Sequence, residues 1–62
     1  MKREKQLLIV EDDEELRNTI VNSLNRTGLR AFGVSSLRDA RARLRLQTYD
    51  LVLIDIHLGD DR

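Results

Sequence analysis

The sequence predicts an α/β fold in which three parallel strands alternate with two helices. Two short aliphatic runs, at residues 7–10 and 51–54, are typical of strands buried on both faces of a sheet. Between them, apolar residues recur at helical spacing in two segments, which flank a third short apolar stretch. Strands that alternate with helices through short connections predict βαβ units, in which the strands lie parallel in one sheet.

The first strand is predicted at residues 7–10, after a polar segment at residues 1–5 that we expect to be flexible. Five consecutive acidic residues follow it at positions 11–15. The next apolar residues share one face of a helix, and they are Leu16, Ile20, Val21 and Leu24. Asp13 is the expected N-cap of this helix, and Gly28 is expected to end it in the left-handed conformation.

A second strand is predicted at residues 30–34, with a second helix after it. This helix is expected to begin with a capping box in which Ser36 is the N-cap and Asp39 the third helical residue. Its expected apolar face comprises Leu37, Ala40 and Leu44. The third strand, at residues 51–54, then leads directly into Asp55.

Size and composition limit the classes of fold and function. A chain of 62 residues forms one small domain at most, and such a domain buries only about 60% of its unfolded surface. The absence of cysteine excludes disulfides and thiolate metal sites. Eleven basic and eleven acidic residues give a net charge of zero, which argues against a general nucleic-acid binder. The sequence shows neither a membrane span nor a signal peptide, so we expect a cytoplasmic protein.

Acidic residues follow both of the aliphatic strands. Glu11 and Asp12 come after the first strand, and Asp55 comes after the third. If these strands are parallel neighbours, their carboxyl ends share one edge of the sheet and the three carboxylates converge there. Carboxylates so close together repel one another, and Mg²⁺, a hard cation that prefers oxygen ligands, relieves that repulsion. The pattern therefore indicates phosphoryl chemistry, with Asp55 as the candidate nucleophile.

A purely structural role accounts for such acids as well. Acids between a strand and a helix commonly cap the helix and interact with its dipole. A single Asp at the end of a strand is commonly a loop residue. The functional interpretation is favoured only by the combination of two apolar strands that both end in acids, within a β-α-β-α-β order.

Two segments of the chain resemble the receiver domain of two-component response regulators. They are LLIVEDDEELR at residues 7–17 and YDLVLIDIHL at residues 49–58. The resemblance implies a flavodoxin-like fold with a parallel sheet of strand order 2-1-3-4-5. Residues 1–62 would then form the N-terminal half of such a domain, with strand order 2-1-3, and residues 59–62 would belong to a truncated loop.

The resemblance implies that Asp55 accepts a phosphoryl group from the phosphohistidine of a sensor histidine kinase. The acidic pair of the family corresponds to Glu11 and Asp12, of which Asp12 would bind Mg²⁺ directly and Glu11 through water. The backbone carbonyl of His57, rather than its imidazole, would be a further protein ligand of Mg²⁺. A domain of this kind is a signalling module rather than an enzyme, because it catalyses only its own phosphorylation and dephosphorylation.

The chain departs from the family pattern in two respects. Gly59 stands where the family commonly has Pro, which loosens the loop without touching a ligand. The family also places a Ser or Thr after strand four and a Lys after strand five, where they contact the phosphoryl oxygens, and this sequence stops before both. We therefore expect inefficient phosphorylation of this chain, and we expect its folding to need self-association or further sequence.

Two other functions are compatible with parts of the pattern. The first is an interaction module without phosphotransfer, because strand three would be an exposed edge through which two copies form a homodimer. The second is a phosphatase of the haloacid-dehalogenase kind, but that family needs a second Asp two residues after the nucleophile, where this chain has His57. A P-loop nucleotide enzyme is excluded, because the sequence has no Gly-rich loop ending in Lys-Ser or Lys-Thr.

Overall fold

Strands and helices alternate along the chain as the sequence predicts. A computed structural model describes residues 4–55. The strands are β1 (Gln6–Val10), β2 (Arg30–Val34) and β3 (Leu51–Ile54), and the helices are α1 (Glu14–Arg26) and α2 (Leu37–Leu46). All strand pairs are parallel and the order is β2-β1-β3, which confirms the predicted fold class and topology. The expectations for residues 1–3 and for residues 56–62 lie outside the described residues.

β1 forms the centre of the hydrophobic core. Leu8 and Ile9, whose side chains point to opposite faces of the sheet, are 0% and 2% exposed. Leu8 packs with Ala40 of α2 on one face. On the other face, α1 packs against β2 at Gly33 through Val21. β1 is therefore enclosed by a strand on each side and by a helix on each face.

Local sequence determines where both helices begin. The Asp13 Oδ1 atom accepts a hydrogen bond of 3.0 Å from the Leu16 N–H, and Ser36 Oγ accepts one of 3.1 Å from the Asp39 N–H. The two predicted N-caps are thereby confirmed. Gly28 follows the last turn of α1 with a φ of 92°, a conformation that glycine adopts without a steric penalty. Its predicted left-handed conformation is confirmed too.

β3 is only about half buried, so the prediction that it is buried on both faces is wrong. Leu51, Leu53 and Ile54 are 51%, 41% and 48% exposed. Both helices pack over β1 and β2, and within residues 4–55 β3 is the outermost strand on its side of the sheet. The hydrophobicity of a strand indicates that it can be buried, but the burial itself depends on which elements lie beside it.

A side chain closes the outer edge of β2. Asn25, in the last turn of α1, accepts a hydrogen bond of 2.8 Å from the Ala31 N–H, and its Nδ2 donates to the Ala31 carbonyl at 3.5 Å. The amide thus pairs with both backbone groups of one residue, as a neighbouring strand would. Edges left open in this way are sites of unwanted pairing. The two outer strands of the described sheet therefore differ: β2 is closed at Ala31, and β3 exposes aliphatic side chains.

Replacing Asn25 with Ala should lower the free energy of unfolding by about 1 kcal/mol, because the Ala31 N–H loses its acceptor. Urea denaturation followed by circular dichroism measures the difference. Asn22→Ala is the matched control, since Asn22 is exposed on the same helix. The control should leave stability unchanged or raise it by up to roughly 0.5 kcal/mol, because Ala favours the helix. Equal losses in the two variants would contradict the edge-closing role of Asn25.

Candidate functional site

The carboxyl ends of β1 and β3 meet at one edge of the sheet, because hydrogen bonds hold β3 in register at both of its ends. At the amino end, the Asp50 N–H donates to the Gln6 carbonyl at 2.7 Å, and Asp50 Oδ2 accepts from the Gln6 N–H at 2.7 Å. At the carboxyl end, the Asp55 N–H donates to the Val10 carbonyl at 2.9 Å. Asp55 therefore lies beside the end of β1, next to Glu11.

Glu11 is a fully buried acid, with an exposed fraction of 0%. Its N–H donates to the Val34 carbonyl at 3.0 Å, and its Oε2 accepts from the Asp13 N–H at 2.9 Å. The second carboxylate oxygen, Oε1, is buried and has no hydrogen-bond partner within the described residues. A buried carboxylate oxygen is stabilised by a proton, a water molecule or a cation. Glu11 is thus the acid at this edge that most requires a ligand.

The neighbouring acids have different environments. Asp12 is exposed and lies directly after Glu11. The carboxylate of Asp13 is engaged as the N-cap of α1, and its carbonyl accepts the first helical hydrogen bond, of 2.8 Å, from the Arg17 N–H. Asp13 therefore stabilises the start of α1, and Glu11 and Asp12 remain as the candidate acidic pair.

Arg17 connects α1 to this edge of the sheet. Its Nη1 donates a hydrogen bond of 2.9 Å to the Glu11 carbonyl. Its aliphatic part crosses Gly33 so closely that a Cβ atom on Gly33 would lie 2.9 Å from Arg17 Cγ and 3.0 Å from Cδ. Neither residue stands out as a site residue in the sequence. The available signal is the glycine inside a strand, since such a glycine often marks the close approach of another group.

The donor atoms at this edge suit a hard divalent cation. Glu11, Asp12 and Asp55 supply carboxylate oxygens, which Mg²⁺ prefers, and the unpartnered Oε1 of Glu11 fits the same chemistry. Within residues 4–55, however, no three or more His, Cys, Asp or Glu side chains are grouped closely enough to hold a metal ion. The carbonyl of His57, the further ligand that the resemblance implies, lies outside the described residues. Convergence of the three carboxylates on one ion thus stays a prediction.

The fold and the acidic strand ends together define a flavodoxin-like α/β domain with a candidate site for phosphoryl chemistry. A family model described as "Response regulator receiver domain" matches residues 7–62. The chain therefore belongs to the response regulator receiver domain family. Neither a search of curated proteins nor one of solved structures finds a significant match. No helix in the described part of the chain is long and apolar enough to cross a membrane.

Asp13→Ala should lower the free energy of unfolding by about 1 kcal/mol, because α1 loses its N-cap hydrogen bond. Asp12→Ala, one residue earlier, should change it by less than about 0.5 kcal/mol, since that side chain is exposed. Both variants are compared with the unaltered chain by urea denaturation in metal-free buffer. Similar losses of unfolding free energy in Asp12→Ala and Asp13→Ala would contradict the assignment of the N-cap role to Asp13.

Proposed function

We propose that this chain is a phosphoacceptor module of two-component signalling, acting in the cytoplasm. In this proposal Asp55 receives the phosphoryl group from the phosphohistidine of a sensor histidine kinase, in an Mg²⁺-dependent reaction. The observation that carries the proposal is the hydrogen bond between the Asp55 N–H and the Val10 carbonyl. This bond brings Asp55 to the strand end that bears Glu11, in a chain that belongs to the receiver family.

The proposed reaction requires the Asp55 carboxylate to act as a nucleophile. An oxygen of Asp55 would form a bond to phosphorus while the bond between phosphorus and the donor imidazole nitrogen breaks, and the imidazole would leave with a proton from solvent. The half-buried position of Asp55 leaves part of it accessible to a donor. Its N–H is held by β1, so the starting direction of its side chain is defined by the sheet.

Negative charge is the main obstacle to this reaction. Glu11 and Asp12 lie at the strand end next to the nucleophile, and the incoming phosphoryl group is itself anionic. Together with Asp55 they would hold Mg²⁺, which neutralises charge on the phosphoryl oxygens when it is bound. Glu11 is fixed by its own hydrogen bonds, and Asp12 is exposed toward solvent. The pair thus offers one rigid and one accessible carboxylate.

Incubation with Mg²⁺ and a small acyl phosphate should add one phosphoryl group to a minority of the chains, as measured by intact mass, because phosphorylation of this chain is expected to be inefficient. The adduct should be absent in Asp55→Asn, because an amide oxygen is a poor nucleophile toward phosphorus. Asp50→Asn is the matched control, since Asp50 lies at the opposite end of the same strand and should leave the adduct in place. Omission of Mg²⁺, or Asp12→Asn, should remove most of the adduct, because the charge on the phosphoryl oxygens is then not neutralised.

Circular dichroism on the same samples shows whether each variant is folded. An adduct that persists in Asp55→Asn would contradict the assignment of the nucleophile. A folded chain that forms no adduct under any of these conditions would contradict phosphoacceptor function for this chain.

A second function, self-association, is favoured by the exposure of β3. We propose that two copies pair through their β3 edges across a two-fold axis, which would give a sheet with three strands from each copy. Leu51 and Leu53 share one face of β3 and Ile54 lies on the other, and all three are about half exposed. Pairing would cover these side chains on both faces, whereas the β2 edge is closed at Ala31 by Asn25.

A charge on β3 should prevent this pairing. The chain should have the mass of a dimer at tens of micromolar when measured by light scattering after gel filtration, and Leu53→Lys should convert it to a monomer. Leu46→Lys is the matched control, because Leu46 lies on α2 and is 77% exposed. This variant should remain a dimer. A monomeric mass for the unaltered chain would exclude the dimer.

A further inference from the structure

The peptide group between Glu11 and Asp12 is held by a side chain from α1. The Arg17 Nη1 atom donates a hydrogen bond of 2.9 Å to the Glu11 carbonyl, which is one half of that peptide group. Because a peptide group is planar, fixing its carbonyl also fixes the Asp12 nitrogen. The starting direction of the exposed Asp12 side chain is therefore coupled to the position of Arg17.

We infer that Arg17 is a positioning residue for the divalent cation at this edge, and that Gly33 is the glycine that leaves room for it. Arg17 would act through the backbone of Glu11 and Asp12 without touching the cation. The inference rests on the proposed function, because the cation in question is the Mg²⁺ of the proposed phosphoacceptor site.

Gly33 is needed for its small size rather than for its conformation. Among the described glycines, positive φ occurs only at Gly28, so the backbone of Gly33 is one that any residue adopts. A Cβ atom on Gly33 would approach Arg17 Cγ to 2.9 Å and Val21 Cγ2 to 3.1 Å. The contact with Arg17 Cγ is too short to persist, so Arg17 has to shift, whereas Val21 Cγ2 needs to move by only a few tenths of an ångström. An alanine here should therefore displace the guanidinium from the Glu11 carbonyl without changing any charge.

The sign of the change in Mg²⁺ affinity distinguishes positioning from simple electrostatics. Arg17 carries a positive charge near the proposed cation site, so a purely electrostatic role predicts that its removal strengthens Mg²⁺ binding. A positioning role predicts the opposite, because Asp12 loses its defined direction. Loss of groups that orient metal ligands commonly weakens metal binding by roughly ten- to a hundredfold.

Arg17 can be replaced without leaving a closed void. Its side chain is half buried and lines an open cleft of about 380 Å³, together with Ser35 and Arg43. Methionine keeps the aliphatic portion that covers Gly33 and removes only the charged group. We therefore expect Arg17→Met to fold, and it decides the question even if Gly33→Ala does not fold.

Isothermal titration of the 62-residue chain with Mg²⁺ alone tests the inference. Arg17→Met and Gly33→Ala should each bind Mg²⁺ roughly tenfold more weakly than the unaltered chain. Arg26→Met is the matched control: it removes the same charge from an exposed position on the same helix and should change the affinity less than about twofold. In an Arg17→Ala background, Gly33→Ala should have little further effect on affinity, because the displaced group is already absent.

Each outcome has a defined meaning. Tighter Mg²⁺ binding by Arg17→Met would show that Arg17 affects the affinity only through its charge, and it would overturn the inference. Unchanged affinity in Arg17→Met and Gly33→Ala, with or without a loss of stability, would reduce Arg17 to a structural role. If the unaltered chain itself binds no Mg²⁺, the cation site of the proposed function fails together with the inference. If the unaltered chain binds Mg²⁺ and the two variants bind it equally well, the inference is overturned but the proposed cation site is not.

Discussion

The parallel pairing of β1 with a strand on each side is the interaction on which the rest of the structure depends. It encloses Leu8 and Ile9 completely and so supplies most of the core of a small domain. It also determines where the chain leaves the sheet. Since β1 is covered on both faces, Glu11 emerges inside the protein rather than into solvent, and a hydrogen bond to the Val34 carbonyl fixes it there. The rigid acid of the candidate site is thus a consequence of how the core is built.

Burial of Glu11 has an energetic consequence for the whole domain. A carboxylate removed from water costs several kcal/mol unless hydrogen bonds or an opposite charge compensate it. The Asp13 N–H compensates one oxygen, while the other has no hydrogen-bond partner among the described residues. A bound cation would stabilise the folded chain by mass action as well as prepare it for chemistry. In the proposed site, bound Mg²⁺ would compensate the Glu11 Oε1 atom through water, so folding and cation binding would favour each other.

The sequence predicts what local patterns determine. Apolar spacing locates the helices, Asp13 and Ser36 mark their starts, and the βαβ connections require parallel strands, which places Asp55 beside the end of β1. Side-chain contacts between one element and another are not predictable in the same way. The pairing of Asn25 with Ala31 and the approach of Arg17 to Gly33 depend on how α1 lies across β2. The exposure of β3 likewise depends on its neighbours in the sheet, whereas its aliphatic composition predicts burial.

β3 links the two proposed functions, because it leads into the candidate nucleophile, Asp55, and is also the exposed outer strand of the described sheet. Its register depends on hydrogen bonds to β1 at both ends, through Asp50 and Asp55. A strand paired on one side is more easily displaced than one paired on both, since fewer contacts must be broken. Whatever covers the outer edge of β3 would restrict the backbone that positions Asp55. If both proposals hold, association at this edge would be coupled to phosphorylation of Asp55, because a partner that pairs with β3 would favour the reactive arrangement of the acids.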